Sequence, residues 1–523
     1  MTLPRIITEG LGGGPLARQL IAGDAPAHWY PARPASPEGW RARADEVRRS
    51  VAPDWSSRLS LAFGASGAAR DRLERVAAAG GVVVTTGQQP GLFGGPVYTW
   101  SKALAALELA DAIERETGVP TAPLFWAATD DADFAEARDT WVAGPGGGLR
   151  LSMPGPALDG LPMHEHPLGD VSGAFERLAE SAGSAVDPGV LDAVRLACHP
   201  GQTVGGAYLT LLRVLLQPLG IAVLDASHPA LLAAERPWLE RALTHGSQVE
   251  SALMARSAEL RAAGVEPQVA DVAGLSLVFG REEGRKVRVP LRLASQVAGD
   301  ASERLSPNVL LRPVVERAIL PTVAYVAGPG EIAYFAQVGA VAQALGVAVP
   351  LVVPRWSCTI VEPHVGTLLA TREVTREELS DADAVEGRLA RRSAPAPVLR
   401  ALESMREGIE REAAALADVL HGEDALLPRA VVDGMRRQMT WRAERLERRL
   451  VAALKRRDVD MRRDVATLRG ALYPGGTKQE RALNLIPILA RHGLRVLQIH
   501  GGADHSEYST ESRRLMMLCE RIA

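Results

Sequence analysis

Residues 81–110 read GVVVTTGQQPGLFGGPVYTWSKALAALELA, and the parsing of this stretch decides the fold. The β-branched run Val82–Thr86 predicts a buried strand. The chain then turns through Gly87, Gln88, Gln89, Pro90, Gly91, Leu92, Phe93, Gly94 and Gly95. From Pro96, a residue suited to a first helical position, Val97, Leu104, Leu107 and Ala110 recur at helical spacing. A strand, a glycine-rich turn and a helix N-terminus together offer backbone N–H groups and a helix dipole to an anion. The spacing is neither G-x-G-x-x-G nor a turn followed by G-K-[ST], so dinucleotide and P-loop fingerprints are absent. The same residues also read as a tight βα turn that needs glycine for geometry alone.

Working outward, Thr117-Gly118 stops the helix before Pro120, and residues 122–128 read as a second buried strand. Strand, long helix and strand make a βαβ unit and predict a parallel sheet. The second strand runs into Asp130, Asp131 and Asp133, at the end of the sheet where open α/β folds bind ligands. Three carboxylates so close suit a magnesium ion or the orientation of an amine, and they also suit a helix N-cap with an acidic first turn. Residues 207–226 predict a helix running into another strand that ends at Asp225, Ser227 and His228, followed by one long helix over about 229–263. Residues 143–205 read as an irregular insertion with one small helix, in which His164 and His166 flank Glu165, and residues 267–295 as a hairpin. A second βαβ-like unit follows: strand Thr322–Ala327, turn Gly328-Pro329-Gly330, a helix from Glu331, and strand Ala348–Val353 leading to Arg355. Arg312 and Arg355 beside such turns suit either a clamp on carboxylate or phosphate or a structural ion pair.

Past Val365 the pattern becomes long charged helices without strands. Leu402, Met405, Ile409, Leu416 and Val419, then Met439, Leu446, Leu450, Leu454, Met461 and Val465, predict an antiparallel coiled-coil hairpin. Twelve Lys or Arg face five Asp or Glu between Met435 and Arg469, but the acids are interleaved and Trp441 is the lone aromatic, which favours a solvated face or dimer contact over nucleic acid. The polar C-terminal 20 residues suggest a mobile tail. A length of 523 residues implies two to four domains or lobes. The formal net charge of −3 gives no reason to invoke nucleic acid or membrane, and the apolar runs are interrupted by charge or proline. Cys198, Cys358 and Cys519 form no C-x-x-C pair, which argues against a disulfide framework or a cysteine-built zinc site, and no haem or flavin signature is present. With no apolar leader at the N-terminus, a cytoplasmic location is expected.

These motifs resemble the bacillithiol biosynthesis cysteine-adding family, BshC. The resemblance rests on TTGQQPGLFGGPVYTWSKA, PLFWAATDDADFAEA, GVEPQV at Gly264–Val269, SPNVLLRP, AYVAGPGEIAYFAQ, VPRWSCTIVE and GGTKQERALN, in that order over most of the chain. It implies an α/β fold: a Rossmann-like parallel-sheet core with inserted connecting lobes, similar in outline to class I aminoacyl-tRNA synthetases, and an antiparallel α-helical coiled-coil arm for dimerisation. The expected boundaries are 1–142 for the first half of the core, 143–305 for the inserted lobes, 306–364 for the second half, 365–470 for the arm and 471–523 for a C-terminal segment packing on the core. The implied activity is a ligase joining the carboxylate of cysteine to the amine of glucosaminyl malate, with a nucleotide (ATP or ADP) as co-substrate, magnesium as a candidate ion and a homodimer as the assembly.

On that reading Asp130, Asp131, Asp133 and Lys102 are the candidate catalytic groups. Gly87, Gln88, Gln89, Gly91, Gly94, Gly95, Tyr98, Asn308, Arg312, Gly328, Gly330, Glu331, Arg355 and Ser357 are the candidate binding residues. Two departures stand out. Where the family usually has Glu-Asp-His-Asp this chain has Asp130-Asp131-Ala132-Asp133, and the usual Asn-His is Arg138-Asp139. The imidazole is missing, so another group must move the proton. Two other readings follow from the same residues: a nucleotide-dependent ligase or transferase on a different acceptor, or a scaffold whose coiled coil is the working part. A class I synthetase proper is disfavoured, because no His-Ile-Gly-His or Lys-Met-Ser-Lys-Ser string occurs.

Overall fold

In the computed structural model, which describes residues 3–144, 146–420 and 427–498, the quoted stretch forms strand β1 (Val82–Gln88) and helix α1 (Val97–Thr117). The strand runs two residues beyond the β-branched run, because Gly87 and Gln88 continue the ladder opposite Trp126 and Ala127. Strand β2 (Thr121–Ala127) lies parallel to it, followed by β3 (Ala222–Asp225), β4 (Thr322–Ala327) and β5 (Val352–Pro354). The order across the sheet is β5-β4-β1-β2-β3, every neighbouring pair parallel. The chain therefore builds outward from β1 through β2 to β3, then returns to place β4 on the other flank of β1. Between β1 and β4 the connections diverge, and the carboxyl ends of strands at such a switch point are where open α/β sheets bind ligands.

Both faces of the sheet are covered, which explains why its strands are apolar on alternate and intervening positions alike. Val82 and Val84 pack with Trp40, Val47 and Ile113 on one face; Val83, Leu124 and Trp126 pack with Trp55, Phe63 and Leu73 on the other. A further core surrounds helix α4 (Pro329–Ala344), whose side chains from Ile332 to Ala342 are all buried.

Several expected elements differ, and the strand expected over Ala348–Val353 is only Val352–Pro354. The single helix over 229–263 is two, α2 (Pro229–Thr244) and a second from Gly246 to Ala262. The break falls where Gly246 lies so close to Leu291 that a Cβ would sit 2.5 Å from it. The hairpin region pairs only Leu275–Glu282 with Arg285–Pro290, and a two-residue strand, Ser306–Pro307, adds a third member. The insertion also holds a second helix, Pro188–Ala197, beside the one at Ser172–Ala182.

The chain divides into two compact units. The first comprises the chain through Val142, Arg150–Val361 and the stretch from Gln479 onward. The second comprises Ala143–Leu149 and Glu362–Lys478. In the second, helices Ala396–Leu420 and Arg429–Arg457 pack on each other with ion pairs Arg436–Glu410 and Arg406–Glu447. As the partner on one helix steps back, the partner on the other steps forward, the signature of antiparallel helices. The second helix ends at Asp458, whose carboxylate accepts from the Met461 amide at 2.9 Å and starts a separate helix, Val459–Leu472. Among the described residues no helix is long and apolar enough to cross a membrane. The polar tail and Cys519 lie outside the described residues.

Candidate functional site

Two helices leave the switch point, α1 after β1 and α4 after β4, and each sends one charged side chain back across it. Lys102 of α1 has 2% of its side chain exposed and donates to the Gly87 carbonyl, to Gln88 Oε1 at 3.2 Å and to Glu331 Oε2 at 2.7 Å. Glu331, in the first turn of α4, also accepts from the Gly328 amide at 2.7 Å and from the Tyr325 hydroxyl at 2.7 Å. Burial lowers the proton affinity of Lys102, with Arg312 and Arg355 adding to the effect against the pull of Glu331. Burial alone would raise that of Glu331, yet the charge and hydrogen bond of Lys102 outweigh it and hold the carboxyl below its ordinary range. With a fifth of its side chain exposed, Glu331 is the face of this pair turned to solvent.

The pair is one end of a longer array. Arg312 opens helix α3 (Arg312–Ile319), bonding Glu316 Oε2 at 3.0 Å and the Tyr325 hydroxyl at 3.0 Å, with the Tyr325 ring 5.1 Å from its guanidinium carbon. Glu316 is buried and also accepts from Thr85. Asn308 fixes the turn that leads into α3, its side-chain oxygen accepting from the Leu310 and Leu311 amides at 3.2 and 3.0 Å. Thus Lys102, Glu331, Tyr325, Arg312 and Glu316 form one connected chain of alternating charge under the carboxyl ends of β1 and β4.

The three aspartates do not converge. Asp130 pairs with Lys286 of the strand Arg285–Pro290 at 3.1 Å. Asp131 accepts from the Asp133 amide at 2.9 Å, and Asp133 caps a one-turn helix by accepting from Glu136 at 3.1 Å. Each carboxylate has a different partner, as helix capping and ion pairing require, and among the described residues no group of three His, Cys, Asp or Glu side chains could hold a metal ion. Burial raises the proton affinity of Asp131, and Asp130 adds to it. Beside them the Tyr98 hydroxyl lies 3.2 Å from Gln88 Nε2 and 3.5 Å from Glu136 Oε1, while Gln89 Nε2 is buried with no hydrogen-bond partner.

The glycine turn is shaped from behind. A Cβ on Gly94 would meet the Trp100 ring at 2.8 Å, and one on Gly91 would meet Gly95 at 2.9 Å, so close packing of the turn on itself requires these residues. Asn484 lies under the turn and donates to the carbonyls of Phe93 at 3.1 Å and of Leu92 and Gly95 at 3.3 Å. The first amide of α1, that of Val97, donates to the Leu483 carbonyl at 2.9 Å. The segment after Gln479 therefore occupies part of the helix start that the sequence offered to an anion.

Arg355 behaves likewise. Its guanidinium meets Glu480 through two bonds of 2.8 Å, with 3% of its side chain exposed, and Ser357 donates to the same carboxylate at 2.8 Å. Of the two readings of Arg355, the ion pair is the one formed. Gly328 is buried at the start of α4, whereas Gly330 is exposed with open space around it. Lys102, Arg312, Arg355 and Lys286 each face a carboxylate already, so this donor set does not fit a polyphosphate as it stands.

Comparison with known proteins carries the same pattern. The family model for the bacillithiol biosynthesis BshC N-terminal Rossmann-like domain matches residues 25–290 and 292–356, and that for the BshC C-terminal coiled-coil domain matches 358–502. The chain belongs to the BshC family. Among BshC relatives, a protein of Solibacter usitatus is 33% identical over 486 residues, covering 89% of this chain and 90% of its own length. One of Koribacter versatilis is 31% identical over 455 residues, covering 83% and 84%, and one of Geobacillus thermodenitrificans is 28% identical over 462, covering 82% and 84%. All three bear the name "Putative cysteine ligase BshC".

Sequence reading brought Lys102, Gln88, Arg312, Glu331, Gly87 and Gly328 to one place, and the structure joins them. Arg355 lies there too, its guanidinium carbon 5.8 Å from the centre of the Tyr98 ring and its Nε 3.5 Å from where a Cβ on Gly328 would sit, but its pair of hydrogen bonds and the one from Ser357 serve Glu480. The structure adds Glu316, Tyr325, Lys286, Asn484 and Glu480, none of which lies in a turn beside a predicted strand end. Glu480 and Asn484 lie in GGTKQERALN, a motif used above for resemblance alone.

Proposed function

We propose that this BshC-family chain is a carbon–nitrogen ligase that joins the carboxylate of cysteine to the amine of glucosaminyl malate at the switch point between β1 and β4. The observation carrying this reading is the alternating array Lys102–Glu331–Tyr325–Arg312–Glu316, set where the strand ends of β1 and β4 open beside the Asp130–Lys286 pair. Amide formation needs a neutral amine, a held carboxyl group and stabilisation of the oxyanion that develops as they join. Glu331 and Asp130, each about one-fifth exposed, suit the amine as hydrogen-bond acceptors. Arg312 and Lys286 suit the carboxylates, each exchanging part of an internal ion pair for the substrate. A nucleotide co-substrate would activate the carboxyl group only by displacing a carboxylate from one of these paired cations.

The protein acts in the cytoplasm as a homodimer through the coiled-coil arm. The arm supports this reading because its apolar stripe is only partly covered within one chain: Leu446 is 53% exposed and Val419 79%. The test of function is thiol profiling of a deletion strain. Loss of bacillithiol with accumulation of glucosaminyl malate is expected; unchanged bacillithiol without accumulation would retire the assignment.

A further inference from the structure

Three successive residues of the glycine turn have positive φ: Phe93 at 52°, Gly94 at 85° and Gly95 at 75°. Glycine takes that conformation freely, whereas a phenylalanine brings its Cβ against the following carbonyl oxygen. Among the described residues two other non-glycine residues have positive φ, Glu283 in a hairpin turn and Glu373 at a helix end, and both are exposed. Phe93 is buried, and such a backbone persists only where its surroundings enforce it. Here one side chain does so. The φ of Phe93 sets the peptide plane that carries the Leu92 carbonyl, and its ψ sets the plane that carries its own. The side-chain amide nitrogen of Asn484 donates to both, at 3.3 and 3.1 Å, and to the Gly95 carbonyl at 3.3 Å. Asn484 is itself held, 1% exposed, with the Thr140 hydroxyl 3.3 Å from the same nitrogen. Its side-chain oxygen accepts from the Ile486 amide at 2.9 Å, and its backbone amide donates to the Trp141 carbonyl at 2.7 Å.

What this turn joins is the end of β1 to the start of α1, and the charged array hangs on that joint. Pro96 bridges to Asn484, and the Val97 amide donates to the Leu483 carbonyl, so the same short segment also grips the first turn of α1. Tyr98 and Lys102 lie four residues apart on α1 and share a face. That face returns to β1: the Tyr98 hydroxyl lies 3.2 Å from Gln88 Nε2, and Lys102 Nζ lies 3.2 Å from Gln88 Oε1 and 2.7 Å from Glu331 Oε2. A turn that relaxed at Phe93 would shift the start of α1 against the end of β1, and both side chains with it.

We propose that Asn484 is a positioning residue of this site. By pinning Phe93 in its left-handed conformation it sets α1 on β1, and so sets where Lys102 meets Glu331. The effect on the reaction rests on the ligase reading above. Asn484 touches no reacting atom; it acts through the turn. Only a side chain that ends in a donor serves, because three carbonyl oxygens converge on one atom.

Hydrogen exchange read by mass spectrometry on the full-length protein tests the positioning without any turnover. The Gly94 and Gly95 amides donate within the turn to the Gly91 and Leu92 carbonyls at 3.0 and 3.1 Å. In Asn484→Ala their peptide should exchange roughly tenfold faster than in wild type, with β2 and β4 unchanged. In the amide-forming assay Asn484→Ala should lower kcat roughly 10²-fold with KM little changed. Asn484→Asp keeps the native shape but turns a carboxylate oxygen toward the three carbonyls, and a proton on that oxygen restores one donor. Its rate relative to wild type at the same pH should therefore rise as pH falls. If Asn484→Ala does not fold, the isosteric Asn484→Asp gives the same exchange comparison above the pH at which it takes up that proton. Unchanged exchange over the turn overturns the proposal, as does wild-type kcat in both variants or an Asn484→Asp deficit that is the same at every pH. A turn that loosens on substitution in a protein whose wild type forms no amide retires the ligase reading and leaves Asn484 as the residue that fixes the turn.

Discussion

The same pairing of arginine or lysine with glutamate occurs in two settings in this molecule, and the setting changes what the pair does. In the sheet-bearing unit, Arg355–Glu480 and Lys102–Glu331 are enclosed, with 3% of the Arg355 and 2% of the Lys102 side chain exposed. In the arm, Arg436–Glu410 is 3.0 Å long but open to water on both sides. Enclosed pairs have lost their hydration and depend on each other; open pairs exchange one set of water contacts for another. The buried pairs therefore hold strand ends and a chain segment in place, while the open ones mainly keep two helices soluble and in register.

Breaking one member of a buried pair should reveal this most strongly. Arg355→Met leaves the Glu480 carboxylate enclosed without its cation, and about 3–5 kcal/mol of unfolding free energy should be lost in urea titration. The double replacement Arg355→Met with Glu480→Leu should recover most of it; equal loss in both would mean the pair is not the cause. Glu331→Gln should cost a similar or smaller amount and also change the pH profile. Its carboxyl is held below the ordinary range in the folded chain, so its contribution is fully present above the unfolded value of about 4.3 and disappears as pH falls through the folded value. The acid limb of stability should accordingly flatten in Glu331→Gln, and an unchanged limb would remove Glu331 from the account.

A buried charge without a partner tests the comparison from the other side. Arg317 is 1% exposed with all three guanidinium nitrogens lacking a hydrogen-bond partner, and burial with the nearby charge of Arg43 brings its pKa down to about 10. Arg317→Met should stabilise the protein by about 1–4 kcal/mol below pH 10, where the native arginine must carry its charge. Loss of stability instead would show that the cation is satisfied. The smallest effect belongs to the arm: Arg436→Ala should leave the urea midpoint nearly unchanged, and still less changed at high salt.

Much of this was legible in the chain. β1, α1, β2 and β4 are declared by β-branched runs, glycine stops and helical spacing, because each is long and buried along its length. Gln88, Lys102 and Glu331 lie within or beside the turns that end β1 and β4, so local pattern places them near the switch point. What stayed hidden is long-range. That Asn484 props the glycine turn and Glu480 takes Arg355 depends on a segment some 390 and 125 residues away in sequence from what it holds. The three clustered aspartates read equally as an ion site, as groups orienting an amine or as a helix cap, and only the folded chain shows that Asp133 caps a helix while Asp130 meets Lys286.

The most direct measurement incubates purified protein with cysteine, glucosaminyl malate and nucleotide and detects the amide by mass spectrometry. Wild type and Arg436→Ala are expected to form it at similar rates, and folded Glu331→Gln to lose it at least tenfold. A wild type that forms none, or a Glu331→Gln variant as fast as wild type, would contradict the placement of the chemistry at the switch point.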